Sequence, residues 1–428
     1  MRVLVVGGGG REHALCWALA RSDSVEEVVA TPGNPGIEGV ARCLPVDPKD
    51  PAAVARLADD VDADLVLPGS EDTLVRGVVD AVQARGRHAF GPVAAAAKLE
   101  GSKAWMKEVA AAAGVPTARH GTFSAADQDA AFVFLESLDG LYVVKTDGLA
   151  AGKGVIVTES IAEARDAVRA YLSGDAFGDA GRTLVIEEGM RGPELSLLVV
   201  CNGDVDAAVP LAPAQDFKRV HDDDAGPNTG GMGAYSPVPI AGDDIVEEVM
   251  SRSVRPTLHE LRARGLEYRG ILYAGLMLTV DGPKLVEYNV RFGDPECQVV
   301  VPRLETDLGE LCLAAARGEA LPEVRCVSES WVTLVLASEG YPASPRTGDV
   351  IDGLDEASGL PGVVLFHAGT ARASDGRLVT NGGRVLDVTA SAESLSEARD
   401  RAYRAAAQIS WPGVHFRHDI AAAAAVPT

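Results

Sequence analysis

The chain opens with an unbroken apolar run, VLVV (Val3–Val6), that passes into four glycines and then into EHALCWALARS, where apolar positions recur at helical spacing. This pattern predicts a buried strand, a glycine turn and a helix. The alternation continues: EEVVATPGN reads as a strand, DPAAVARLADDVDA as a helix, ADLVLPGSED as a strand and loop, and RHAFGP as a short strand. Strands alternating with helices predict a parallel sheet joined by crossovers. From Gly101 the texture changes. SKAWMKEVAAAAGVPT predicts one amphipathic helix, capped by Ser102 and stopped by Gly114. GLYVVKTDGLAAGKGVIVT (strand, glycine loop, strand), IAEARDAVRAYLSG (helix) and TLVIEEGMRGPELSLLVVCNG (strand, loop, strand) predict a small α+β lid. AGPNTGGMGAYSP reads as a long loop, and GILYAGLMLTVDGPKLVEYN as two strands about the turn DGPK. Past residue 328 the pattern is β-rich (SWVTLVLASEGYP, GVVLFHAGTAR, RVLDVTASAES), followed by a helix, SEARDRAYRAAAQI, and an end, AAAAAVPT, that reads as a frayed tail.

Composition narrows what such a chain can do. Its 428 residues suit about three domains, and 47% hydrophobic content suffices for sizeable cores. A net charge of −23 argues against nucleic acid or an anionic membrane as partner, since both demand a basic surface. A small anionic substrate stays open, because a few local cations can outweigh the overall field. The six cysteines form no CxxC pair, which argues against a zinc site or a disulfide framework. No apolar run reaches membrane-spanning length and the first residues resemble no signal peptide, so the cytoplasm is the expected location.

Five stretches carry candidate chemistry. The opening glycines fail the dinucleotide fingerprint: counted from Gly7 the third position is Glu12, and from Gly8 it is His13. What remains is a helix N-terminus suited to an anion, with Gly9, Arg11 and Glu12 as candidate contacts. KTDGLAAGKGV (Lys145–Val155) is no Walker A loop, yet its glycines, including Gly152, with Lys145 and Lys153, can close over a triphosphate. VIEEGMRGPELS offers Glu187 and Glu188 at a strand end and Glu194 after a loop. In KLVEYNVRFGDPECQ, Glu287 and Asn289 lie two apart on a strand and so share a face, a pair of oxygen donors suited to Mg²⁺. Arg291 follows, placed to neutralise a transferring phosphoryl group, and GDPE presents Asp294 and Glu296. QDFKRVHDDDAGPNTGGMGAYSP brings Asp216, Lys218 and Asn228 into a loop long enough to be functional.

Taken in order, GGGGREHAL, KTDGLAAGKGV, GPNTGGMGAYSP and RFGDPECQ resemble the phosphoribosylamine–glycine ligase family of ATP-grasp enzymes, over nearly the whole chain. The resemblance implies an α/β and α+β multidomain fold: an N-terminal parallel α/β substrate domain (1–102), an ATP-grasp region (103–327) with a mobile lid at about 120–190, and a C-terminal β-rich domain (328–428). It implies that Lys103 and Lys145 contact phosphates, that Glu187 and Glu188 line the adenine hinge, that Glu194 faces the ribose, and that Glu287 and Asn289 hold Mg²⁺ or Mn²⁺. Lys145 and Arg291 would serve catalysis. Gly9, Arg11, Glu12, Glu71, Asp216, Lys218, Asn228, Arg291 and Asp294 would take the substrates glycine and 5-phosphoribosylamine, with ATP as cosubstrate and a monomer as the acting unit. The chain departs from the family pattern at GSEDTL (Gly69–Leu74), which lacks two usual prolines, at Cys297 in place of Thr, and at HDDD (His221–Asp224). The competing readings are another carboxylate–amine ligase of the same fold, a nicotinamide-dependent oxidoreductase, and a catalytically silent nucleotide-binding module.

Overall fold

The computed structural model describes residues 1–148, 154–173 and 183–425. The N-terminal alternation folds as expected into a five-stranded, wholly parallel sheet. Arg2–Gly7 is central, flanked by Glu27–Pro32 and Arg42–Cys43 on one side and by Leu65–Pro68 and His88–Ala89 on the other. Val3 to Val6 are fully buried, as a strand covered on both faces must be. Helix Pro51–Asp60 starts where Asp50 accepts the Ala53 amide at 3.0 Å.

Ser102 caps helix Lys103–Ala112, its hydroxyl accepting the Trp105 amide at 3.1 Å, and Gly114 ends the turn with a φ of +67°. Beyond it lies an antiparallel four-stranded sheet in the order His120–Ser124, Thr183–Glu188, Tyr142–Thr146, Val155–Thr158. Helices Gln128–Glu136 and Ile161–Leu172 close one hydrophobic cluster with it, separate from the main cores. A unit with its own core can move as a body, which suits the expected lid. A second antiparallel sheet, Val209–Pro210, Glu194–Asn202, Arg269–Thr279, Gly282–Asn289, forms the facing body.

GPNTGGMGAYSP is not the loop its composition predicts. Ala225–Asn228 pairs with Arg219–His221, and Gly233–Ser236 joins the C-terminal sheet between Gln215–Asp216 and Ser330–Ala337. The glycines serve close packing here: a Cβ on Gly233 would stand 2.7 Å from the Thr333 carbonyl oxygen. The C-terminal sheet therefore borrows two strands from the central segment. The frayed-tail expectation also fails in part, since Ile420 and Ala421 are buried and Ala421–Ala424 wall a cavity. Arg417 anchors this end by pairing with Asp419 at 2.6 Å and Asp224 at 2.8 Å, the latter inside the HDDD stretch. All six cysteines are free. Among the described residues no helix is long and apolar enough to cross a membrane.

Candidate active site

Two cavities, of about 580 and 1090 Å³, meet where the lid, body and C-terminal sheets converge, and Asp216, Lys218 and Glu287 line both. The larger lies between the lid sheet and the body. Lys145 and Val157 line it from the lid, Glu188 and Met190 from the connecting hinge, and Met277 and Val286 from the body. The smaller lies between the N-terminal domain, the body and the C-terminal sheet, with Arg11, Glu71, Lys103, Asn289, Arg291 and Asp294 on its walls. The two cavities together thus gather most of the sequence candidates.

The strand Gly282–Asn289 is antiparallel to Arg269–Thr279, Glu287 opposite Gly275 and Asn289 opposite Tyr273, so both side chains share one face as expected. Glu287 makes no hydrogen bond or ion pair among the described residues. Burial would raise its pKa, but the charges of Lys218, Lys145, Lys103 and Arg291 outweigh that and hold it lowered. An anionic, unsatisfied carboxylate with an amide oxygen two residues on fits a hard divalent cation. No three His, Cys, Asp or Glu side chains converge among the described residues. The cation that fits is therefore one that keeps most of its shell as water and phosphate oxygen, as Mg²⁺ does.

Arg291 is held in a carboxylate vice: its guanidinium lies 3.0 Å from Glu100 and 3.3 Å from Glu71, with Asn289 Oδ1 at 3.3 Å. Burial opposes charge on both acids, with different results. The Arg291 and Arg11 charges carry Glu71 down to about 2, whereas burial dominates at Glu100 and pushes it up to about 7. Asp294 is also engaged, receiving Gln298 Nε2 at 2.9 Å and Arg384 at 2.7 Å. Asp216 differs: its Oδ1 is buried without a hydrogen-bond partner, and burial pushes the carboxyl up to about 8. Lys218 leans on Glu194 at 2.7 Å. Lys103 Nζ donates to the Gly148 carbonyl at 3.3 Å. Glu188 Oε1 accepts the Arg119 amide at 3.0 Å, and Asn228 lines the larger cavity. Gly152 and Lys153 lie outside the described residues.

The opening glycines do something other than expected. Glu12 turns back, its Oε2 accepting the Gly9 amide and its Oε1 the Arg11 Nε, both at 2.7 Å. A Cβ on Gly7 or Gly69 would overlap this carboxylate, so these glycines make room for Glu12. Glu12 thus supplies its own anion to the helix N-terminus and spends both oxygens inside the protein. Arg11, so oriented, donates to the Phe292 carbonyl at 3.3 Å and faces the smaller cavity. Gly9 instead lines a separate hollow with Asn34, Thr370 and Arg384. Gly10 packs on Asp387 of the C-terminal sheet, where an added Cβ would overlap the carboxylate. Gly10→Ala should destabilise the chain by about 1–3 kcal/mol in urea unfolding, as overpacking at a domain contact does, and unchanged stability would contradict this packing.

Sequence reading missed Glu100, Lys107 and Arg384. Glu100 and Arg384 sit in no spacing pattern. Lys107 follows Lys103 by one helical turn and so shares its face, a signal that was available.

Family models match most of the chain in three pieces: the N domain of phosphoribosylglycinamide synthetase over residues 1–100, its ATP-grasp (A) domain over 101–297 and its C domain over 331–423. The chain belongs to the phosphoribosylglycinamide synthetase family. Consistent with this, it is 50% identical to a phosphoribosylamine–glycine ligase of Streptomyces coelicolor, over 99% of this chain and 100% of that protein. It superposes on the crystal structure of a phosphoribosylamine–glycine ligase from Thermotoga maritima with a TM-score of 0.84 at 34% identity, covering 98% of this chain and 100% of that one. A biotin carboxylase from Campylobacter jejuni, solved as a β,γ-ATP complex, shares the fold at 15% identity and a TM-score of 0.73, over 97% of this chain and 92% of that one. The ATP-grasp model spans the hinge, the lid and the strand that carries Glu287 and Asn289, and so includes the lid and body walls of the larger cavity, to which residues 417–424 add a third.

Proposed function

We propose that this chain joins glycine to 5-phosphoribosylamine at the expense of ATP, giving glycinamide ribonucleotide, ADP and phosphate in de novo purine synthesis. The observation that carries the reading, with family membership, is the merging of a lid-covered cavity and one lined by charged side chains at Glu287, Asp216 and Lys218. A triphosphate in the first would aim its terminal phosphoryl group at acceptors in the second. The domains divide at about residues 102 and 327, with the lid at about 120–190.

Adenine would lie against the hinge that carries Glu188, with Glu194 beside the ribose and Lys103 and Lys145 towards the phosphates. Glu287 and Asn289 would hold Mg²⁺ or Mn²⁺, which would supply positive charge to neutralise the phosphates. Glycine is unreactive as a carboxylate, so its oxygen attacks the γ-phosphorus, the bond to ADP breaks, and glycyl phosphate forms. Arg291 neutralises the transferred group. The phosphoribosylamine nitrogen then attacks the carbonyl, phosphate leaves with the bonding electron pair, and the surplus amine proton passes to phosphate or water. The neutral amine needs no protein base. Asp216, with Lys218 and Asn228 nearby, faces the junction where glycine would sit. Arg11, Glu71 and Asp294, with Gly9 in the adjoining hollow, border the space left for the phosphoribosyl group. Glu12 acts there only by orienting Arg11. Acyl phosphates hydrolyse, so closure of the lid that carries Lys145 and Val155 would serve to exclude water. We take a monomer as the acting unit and place the reaction in the cytoplasm.

The test is ADP release from purified protein with ATP and Mg²⁺, across amino acids, with and without phosphoribosylamine. ADP should appear only with glycine and the amine together. Release with another amino acid in place of glycine would assign the chain to a different ligation.

A further inference from the structure

Lys107 is among the most deeply buried charges in the molecule, 1% exposed, on the body helix that leads into the lid. Its Nζ donates to Thr117 Oγ1 at 2.7 Å and to Glu187 Oε2 at 2.9 Å. Thr117 in turn donates its hydroxyl proton to the Leu285 carbonyl at 2.6 Å, two residues before Glu287. Thr117 Oγ is thus polarised to accept from an ammonium. On the other side of Glu187, Lys145 Nζ lies 2.9 Å from Oε1 as an ion pair without a well-directed hydrogen bond. Glu187 stands opposite Val143 in the lid sheet, so Lys145 is its diagonal neighbour on the same face. One carboxylate therefore serves two lysines, and a continuous polar chain runs from the Glu287 strand through Thr117, Lys107 and Glu187 to Lys145. Burial draws Lys107 down to about 8, with the Glu187 charge opposing the fall.

Only Lys145 of the two lysines faces the larger cavity. We propose that Lys107 is a positioning residue: by occupying one oxygen of Glu187 it leaves Lys145 under-compensated, so that Lys145 turns to a polyphosphate, and it sets the lid strand against the strand carrying Glu287. This rests on the reading of the larger cavity as the ATP site. With Lys107 gone, Glu187 would have a single cationic partner and would hold Lys145 to itself. Removing the Glu187 charge as well should set Lys145 free again.

The experiment is calorimetric titration of the full chain with Mg²⁺ and the non-hydrolysable β,γ-imido analogue of ATP. Lys107→Met should raise Kd about ten-fold, and the double variant Lys107→Met/Glu187→Gln should return it to within about three-fold of wild type. A merely structural role predicts the opposite order, with the double variant as weak as the single or weaker. Either that order, or a Lys107→Met Kd within two-fold of wild type, overturns the proposal. Should Lys107→Met not fold, Thr117→Val carries the test: it removes the acceptor that holds Lys107 in place and should raise Kd about three-fold, and an unchanged Kd overturns the proposal. Wild-type protein that binds the analogue but releases no ADP with glycine and phosphoribosylamine would refute the proposed reaction while leaving this comparison intact.

Discussion

Glu287→Ala should lose glycine-dependent ADP formation by about 10³-fold, the scale seen when one preorganised electrostatic group is removed from a transition state. The expectation follows from what this carboxylate does not do. It accepts no hydrogen bond among the described residues, although it stands where both cavities meet and where Lys218, Lys145, Lys103 and Arg291 direct their charge. A half-buried anion kept ionised and free of protein hydrogen bonds is poised for a cation brought with the substrate. Truncation therefore removes function without breaking a contact, and stability in urea should stay within about 1 kcal/mol of wild type. Binding and turnover should separate as well. The four surrounding cations remain to attract the triphosphate, so KM for ATP should change far less than kcat. Near-normal turnover in a folded Glu287→Ala chain would remove the metal assignment, and a large stability loss would show that the carboxylate has a structural task.

The alternation of strands and helices over the first hundred residues made the parallel sheet readable, because a doubly covered strand must be continuously apolar and VLVV and LVLP are. The shared face of Glu287 and Asn289 followed from the period of two along a strand. Composition misled where backbone pairing overrode it. GPNTGGMGAYSP is full of turn residues, yet two of its segments are strands, because glycine at 233 lets one strand approach Thr333 closely, while Gly231 in the link between them fits against Pro295. The opening glycines misled in another way. Helix N-termini favour anions, and here Glu12, three residues on, already takes the Gly9 amide through a capping interaction that local sequence could have shown. Glu100 was illegible for a different reason. Its meaning depends on Arg291, 191 residues away, and no local pattern encodes a contact across that separation.

That contact underlies the other large effect. Arg291→Met should lower kcat by about 10²–10³-fold by removing the charge expected to meet the transferred phosphoryl group. Unlike Glu287→Ala, it should also destabilise the chain, by about 2–3 kcal/mol. Breaking a buried pair strands its partners, and the figure sits at the low end because Glu71 keeps 30% of its side chain exposed. The pH dependence gives the sharper check. In wild type, burial raises Glu100 to about 7 despite Arg291, while the guanidinium charges hold Glu71 at about 2. An acid whose folded pKa is raised binds more protons folded than unfolded, so it loses stability as pH climbs towards that value. Without Arg291 the Glu100 pKa rises further, and this loss extends above pH 7. The stability gap between wild type and Arg291→Met should therefore widen from pH 5 to pH 9, and a gap independent of pH would contradict the vice at Glu71 and Glu100. Arg291→Lys separates charge from shape: an ammonium restores most of the stability, but it cannot span Glu71, Glu100 and Asn289 with one planar fork. Its activity should stay well below wild type, which would place the catalytic value of Arg291 in its orientation as much as in its charge.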